Sequence, residues 1–279
     1  MMAYAQTNIQ LYNQLLLAGW CEADLRLIHA GYLLAASLFT GHFRPNQKVF
    51  LAHLVGTASI LAVHGAEAET TAAGLLHSAY SHGEFGDCSR GIAERKRERV
   101  KSVLGPACEA LIARYSSPDC DLSKLATRFA EGERLSAAER TVAFIKLADV
   151  LEDHCDLGMG YSPNKRLPAT SGSATAWCEI VTKLATGLGH ATLASELRAA
   201  LDQAADIRIP DFLCGSRDGS YLIAPLSHRT RATVRLARFR SRWKSKLART
   251  LARFGRDWEP NRPEPATRAA KSLDARAAA

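Results

Sequence analysis

The chain has 279 residues, of which 47% are hydrophobic and 23% charged, a composition typical of a soluble globular protein. Its longest apolar run, AGYLLAASLF, is about half the length of a membrane-spanning helix, so no membrane span is predicted. The first residues, MMAYAQTNIQ, do not show a basic region followed by an apolar one, so no secretory signal is predicted. The net charge of +8 is uneven: the residues from 216 onward hold 16 Lys and Arg against 5 Asp and Glu, and the preceding ones 20 against 23.

The first half of the chain shows apolar residues at helical spacing. The segments TNIQLYNQLLLAGW, EADLRLIHAGYLLAASLF, NQKVFLAHLVGTASILAVHG and AEAETTAAGLLHSAY each predict a helix. Gly65 is a predicted C-terminal cap of the third helix. Alternating strand patterns are scarce, so the fold class predicted is all-α.

The pattern continues to about residue 205. ERKRERVKSVLGPACEALIARYS predicts a helix broken at Gly105–Pro106. SAAERTVAFIKLADVLEDHCDLG opens with Ser136 followed three residues later by Glu139, which predicts a capping box. ATAWCEIVTKLATGLGHATLASELRAALDQAA supplies two more helices. Residues 1–205 are therefore predicted to form one helical domain.

The basic character belongs to the C-terminal part, with an extension over 206–260 and a disordered tail over 261–279. Within 234–258, apolar residues 3 or 4 apart alternate with Arg and Lys and predict a basic amphipathic helix. An anionic membrane surface or an acidic partner protein fits such a helix. No zinc-finger, helix-turn-helix or RNA-binding signature accompanies it, so specific nucleic-acid recognition is not predicted.

The seven cysteines are scattered without a CxxC pair, which argues against a zinc ribbon or a dense disulfide scaffold. Free thiols in a reducing cytoplasm are the simpler interpretation. We therefore expect a cytoplasmic protein, with peripheral membrane association through the basic helix as a further expectation.

Three polar residues interrupt apolar helical segments: His53 in FLAHLVGTASIL, His77 in AAGLLHSAY and Asp149 in FIKLADVLED. Burying an aspartate in such company is costly unless a positive charge meets it. Two imidazoles and one carboxylate can share a divalent metal and leave positions open for water and substrate. A histidine on an apolar face is also common in ordinary cores, so each residue alone is a weak signal.

The order of these segments resembles the HD-domain superfamily, and within it the guanosine-polyphosphate hydrolase domain of the RelA/SpoT type. Arg44 stands nine residues before His53, as in the family's RxSGEPYIxHP. HLVGTASIL resembles HPxxVAxIL, RVKSVLGPACEALIARYS resembles FGxxVAxLVxGVTK, and FIKLADVLED resembles IKLADRLHN. The resemblance covers roughly residues 30–160. It implies an HD-type helical bundle that holds a metal between His53, His77 and Asp149.

The sequence departs from that pattern at several places. Ser78 replaces the aspartate that follows the second histidine, and Ser81-His82 replaces the family's acidic pair. Asp153 replaces the asparagine of LHN. HSAYSHGEF instead resembles a subgroup of bacterial HD-like proteins that read HSxYGTExF. This resemblance implies that Ser78 is a feature of a subgroup rather than an isolated loss.

The function predicted is a metal-dependent HD-type hydrolase of a phosphorylated small molecule or nucleotide, with Mn²⁺, Fe²⁺ or Zn²⁺ as cofactor. His82 and Glu84 are candidates to take a proton from water, and Arg44 and Lys146 to bind an anionic substrate. One alternative is a degenerate HD domain that binds a ligand or partner without turnover. A less favoured one is a single-iron oxygenase; a two-iron site is disfavoured because no histidine lies between His82 and His154.

Overall fold

The computed structural model describes residues 4–87, 89–163, 171–206 and 208–223, which form a bundle of α-helices with one small antiparallel sheet. The all-α class is confirmed over these residues. The helices are α1 (Asn8–Leu17), α2 (Glu22–Phe39), α3 (Phe50–Val63), α4 (Ala68–Leu76), α5 (Ala79–His82), α6 (Glu94–Tyr115), α7 (Leu122–Ala130), α8 (Ala137–Cys155), α9 (Ser171–Gly187) and α10 (Ala191–Asp206). Short 3₁₀ helices lie at Pro118–Cys120, Gly158–Tyr161 and Asp211–Leu213. The strands are β1 (His42–Phe43) and β2 (Tyr221–Leu222).

Local sequence signals set several helix boundaries. The Ser136 side chain accepts a hydrogen bond from the Glu139 amide, and the Glu139 carboxylate accepts one from the Ser136 amide, which confirms the predicted capping box at the start of α8. α6 is kinked where predicted, because Gly105 has φ +82° and Pro106 follows it. α3 ends just before Gly65, also as predicted.

α3 is the central helix, and it packs against α1, α2, α4 and α8. Every residue from His53 to Leu61 is buried, as expected for a helix that is apolar on all sides. α4 approaches α3 closely at Gly74, where a Cβ would lie 2.4 Å from Leu61 Cδ1. This close approach of α4 to α3 brings His77, three residues after Gly74, next to His53.

The small sheet holds the turn that carries Arg44. β1 pairs with β2 in antiparallel register, and the Phe43 ring stacks on Tyr221 at 5.7 Å. Gln47 Nε2 donates a hydrogen bond to Leu213 O at 2.8 Å, so the later segment also fixes the far side of the turn. A segment more than 160 residues away in sequence therefore positions Arg44.

Residues 1–223 form one unit and residues 224–279 a second. The amphipathic helix predicted at 234–258 and the tail at 261–279 lie outside the described residues. The predicted boundary at residue 205 stays a prediction, and residues 208–223 belong to the first unit. None of the described helices has the length and apolarity that crossing a membrane requires.

Candidate metal centre

Three side chains from separate parts of the bundle converge on one point. His53 lies on α3, His77 directly follows α4, and Asp149 lies on α8. His53 Nε2 is 3.3 Å from His77 Nε2 and 3.0 Å from Asp149 Oδ1, and His77 Nε2 is 3.6 Å from the same oxygen. Both histidine side chains are 1% exposed and the aspartate is 23% exposed. The structure thus brings together the three residues predicted as metal ligands.

The hydrogen bonds of the two histidines indicate which ring nitrogens carry protons. His77 Nδ1 lies 2.8 Å from Gly74 O, which can only accept, so we assign a proton to this nitrogen. His53 Nδ1 lies 2.5 Å from Glu152 Oε2, and we assign a proton there for the same reason. The Arg44 guanidinium also contacts His53 Nδ1 through Nη1, while its Nη2 donates to Asp153 Oδ2 at 2.9 Å. With these protons assigned to Nδ1, the Nε2 atom of each ring faces the other ring.

These three acceptor atoms are close enough together to hold a cation among them. For metal–ligand bonds of about 2.1 Å, donors at octahedral or tetrahedral angles are separated by about 3.0 to 3.4 Å. The observed separations of 3.0 and 3.3 Å fall within that range, and the separation of 3.6 Å lies just above it. Without a metal, a second proton on His53, at Nε2, would supply the positive charge. Burial and Arg44 lower the pKa of His53, but Glu152 and Asp149 outweigh them and raise it overall.

The ligand His53 is held by Glu152 on α8. A carboxylate that accepts from the second nitrogen of a metal-binding histidine fixes both the tautomer and the ring orientation. Gly56 makes room for this contact, because a Cβ there would lie 2.6 Å from Glu152 Oε1. Lys48 forms an ion pair with the same carboxylate. Burial raises the pKa of Glu152, but His53 and Lys48 lower it overall, so the group is an anion.

The ligand Asp149 is held by Tyr115 at the end of α6. The Tyr115 hydroxyl donates to Asp149 Oδ2 at 2.6 Å, leaving Oδ1 to face the histidines. The Lys146 ammonium lies over the Tyr115 ring, 3.7 Å from its centre. Burial raises the pKa of Tyr115 well above its usual value, so the hydroxyl remains a donor.

On its Nδ1 side, His53 faces carboxylates whose charges are balanced. Arg44 binds Asp153 through both guanidinium nitrogens, at 2.6 and 2.9 Å. Lys48 binds Glu152 and, at 2.9 Å, the more exposed Asp156. His53 Nδ1, Glu152 and Asp153 are also close enough together to hold an ion. Because two cationic side chains already neutralise these carboxylates, this second group is a weaker candidate for a metal.

The structure separates the two predicted proton acceptors. His82 is half-buried, with its ring 5.3 Å from Phe50, whose ring in turn contacts His53 at 5.8 Å. Burial, Arg90 and Arg44 lower the pKa of His82 to about 4, so the ring is neutral at pH 7. Glu84, by contrast, has an exposed side chain outside the cluster.

Backbone hydrogen bonds account for both positions. The Glu84 amide donates to Leu38 O at 3.0 Å, which draws the chain toward the end of α2. The His82 amide donates to Ser78 O at 2.9 Å, and Ser78 itself is 8% exposed, beside the ligand His77. His82 therefore stays at the rim of the centre, and Ser78 supplies no charge where a carboxylate was expected from the HD pattern.

Sequence reasoning did not assign a role to Glu152, Asp153 or Tyr115. The first two carry a signal, because residues three and four positions after Asp149 share its face of α8. Tyr115 carries none, since it lies 34 residues from its partner and ends a different helix.

Comparisons with known proteins add limited information. A family model described as a domain of unknown function (DUF6817) matches residues 34–120, less than half of the chain and short of Asp149. Among solved structures, the chain is similar to a metazoan orthologue of SpoT that hydrolyses ppGpp, with 19% identity, a TM-score of 0.42, and coverage of 66% of this chain and 97% of that one. No curated protein matches. A TM-score below 0.5 does not establish a common fold, so we infer the chemistry from the site's own residues.

Proposed function

We propose that the protein is a metal-dependent HD-type hydrolase that acts on a phosphorylated small molecule, with nucleotides inside that class. The convergence of His53 Nε2, His77 Nε2 and Asp149 Oδ1 supports this most directly, because three acceptors face one another at separations that suit a metal. Two imidazoles and a carboxylate suit Mn²⁺, Fe²⁺ or Zn²⁺. A divalent ion bound there would lower the pKa of a bound water and polarise a phosphoryl oxygen.

Lys146 is the better candidate to bind an anionic substrate. Among the described residues, no carboxylate lies within ion-pair distance of its ammonium, which rests on the Tyr115 ring. Arg44 is less available, because Asp153 occupies both of its guanidinium nitrogens. We propose that Lys146 binds a phosphate and that Arg44 keeps Asp153 and His53 in place.

His82 is the proposed proton acceptor. Its ring is neutral at pH 7 and lies 5.3 Å from the Phe50 ring, which in turn lies 5.8 Å from the His53 ring. A neutral imidazole can take a proton from water directly or through one further water molecule. The exposed Glu84 does not share this position.

A second candidate is a domain that binds a phosphorylated ligand without turning it over. Two observations favour it: Ser78 brings no carboxylate beside His77, and Glu84 lies outside the cluster. Loss of a metal-binding residue and of a general base lowers the rate of hydrolysis more readily than it weakens binding of the substrate.

Hydrolysis and binding can be separated in one experiment. The wild-type protein, reconstituted with Mn²⁺, is assayed for phosphate release from a panel of nucleotides and sugar phosphates, and for binding of the same compounds by calorimetry. Turnover that disappears in His77→Ala and shows a raised KM in Lys146→Met supports the hydrolase. His29→Ala is the matched control, since His29 is exposed and touches Tyr12 rather than the centre. Binding without turnover supports the second candidate, and neither activity nor binding contradicts both.

A further inference from the structure

The orientation of the Asp149 carboxylate matters more here than in a site with two acidic ligands. Asp149 is the sole carboxylate of the three converging side chains, because Ser78 stands where a second could have been. The terminal torsion of an aspartate is broad and roughly two-fold, so packing alone holds its oxygens loosely. Something else has to keep Oδ1 directed at the histidines.

Tyr115 is placed to do this. Its hydroxyl donates to Asp149 Oδ2 at 2.6 Å, while Oδ1 stays 3.0 Å from His53 Nε2. The tyrosine is itself fixed, with its ring 4.9 Å from the His77 ring and under the Lys146 ammonium. A single half-buried side chain therefore contacts two of the three candidate ligands.

Resting on the proposed function, we propose that Tyr115 is a positioning residue that holds Asp149 in its metal-binding orientation through Oδ2. Hydrogen-bond partners of metal ligands typically change affinity by about 10- to 100-fold when removed. Tyr115→Phe keeps the ring that packs on His77 and underlies Lys146, and it deletes only the donor. The loss should therefore appear in metal affinity rather than in folding.

The chain offers a matched control in Tyr80, which is buried and also donates to a carboxylate, Glu109, at 2.9 Å. That pair is completed by Arg97 and takes no part in the converging triad. Tyr80→Phe thus removes a similar hydrogen bond elsewhere and measures what such a loss costs the fold alone.

The test titrates Mn²⁺ into the wild type, Tyr115→Phe and Tyr80→Phe, with affinity from calorimetry and folding from thermal unfolding of the metal-free proteins. We expect Tyr115→Phe to bind Mn²⁺ about 10- to 100-fold more weakly, and Tyr80→Phe to bind it as the wild type does. Unchanged affinity in Tyr115→Phe overturns the positioning role while leaving the metal site intact. Equal losses in both variants overturn it as well, because the effect is then general. No binding by the wild type overturns the proposed function itself, and the positioning role with it.

Discussion

The two nitrogens of His53 face opposite electrostatic situations. On the Nδ1 side, Glu152 and Asp153 meet Lys48 and Arg44, so the negative and positive charges balance. On the Nε2 side, His77 and Asp149 offer only acceptors. The difference teaches that a cluster of acids and histidines indicates a metal only where the side chains themselves leave the charge uncompensated. The Nδ1 side supports the ring, and the Nε2 side is where we propose that a cation binds.

Removing a charge on the Nδ1 side of His53 should lower the free energy of unfolding the most. Arg44→Met leaves the half-buried Asp153 carboxylate without its partner; removing one member of a fully buried ion pair costs about 3 to 5 kcal/mol, and partial exposure reduces this to about 2 to 3 kcal/mol. We expect urea unfolding to show a loss of this size. The double variant Arg44→Met/Asp153→Leu should recover much of it, because no unpaired charge remains. A single variant as stable as the wild type would show that the pair is not structural.

Removing charge from the other side should abolish stabilisation by metal. At a Mn²⁺ concentration 100 times Kd, binding stabilises the native state by about 2.7 kcal/mol. In a domain of this size that corresponds to a rise in Tm of about 5 to 10 °C. Asp149→Asn should lose this rise, because an amide is a poor ligand and brings no charge. The same rise in the variant would place the ion elsewhere.

The link between the two sides can be tested at Gly56. An alanine there would put its Cβ 2.6 Å from Glu152 Oε1, so Glu152 should move away from His53. We expect a loss of about 1 to 3 kcal/mol in stability and about tenfold in Mn²⁺ affinity. Gly31→Ala in α2 is the control, because its Cβ would meet neighbours at 3.5 Å or more. That variant should bind Mn²⁺ normally and be no less stable.

A balanced pair remote from the centre gives the smallest effect, as a function of pH. Glu109 accepts from Arg97 at 2.7 and 2.8 Å and from Tyr80, and these bonds lower its pKa despite burial. The folded pKa lies below the unfolded value of about 4.3, so this stabilisation is full above that pH and is lost as pH falls through the folded pKa. We expect a loss on the order of 1 kcal/mol. Glu109→Gln should flatten this part of the stability curve measured between pH 3 and 6; an unchanged curve would exclude the pair as its source.

Much of the fold was predictable from local sequence. The capping box at Ser136 and the break at Gly105 depend on neighbouring residues, and the structure has both. Each polar residue of the triad is a weak signal alone, but three of them inside apolar helices, in the order of the HD pattern, made the triad predictable. The hydrogen bond from Tyr115 to Asp149 and the ion pair between Arg44 and Asp153 depend on packing between distant segments, which no local pattern encodes.

The central claim is that one divalent ion binds between His53 Nε2, His77 Nε2 and Asp149 Oδ1. The most direct measurement is the metal content of purified wild-type protein, His77→Ala and His29→Ala by mass spectrometry, before and after reconstitution with Mn²⁺, Fe²⁺ and Zn²⁺. We predict about one equivalent in the wild type and in His29→Ala, and none in His77→Ala. A wild type without metal after reconstitution with each ion, or a His77→Ala variant that retains a full equivalent, would contradict the claim.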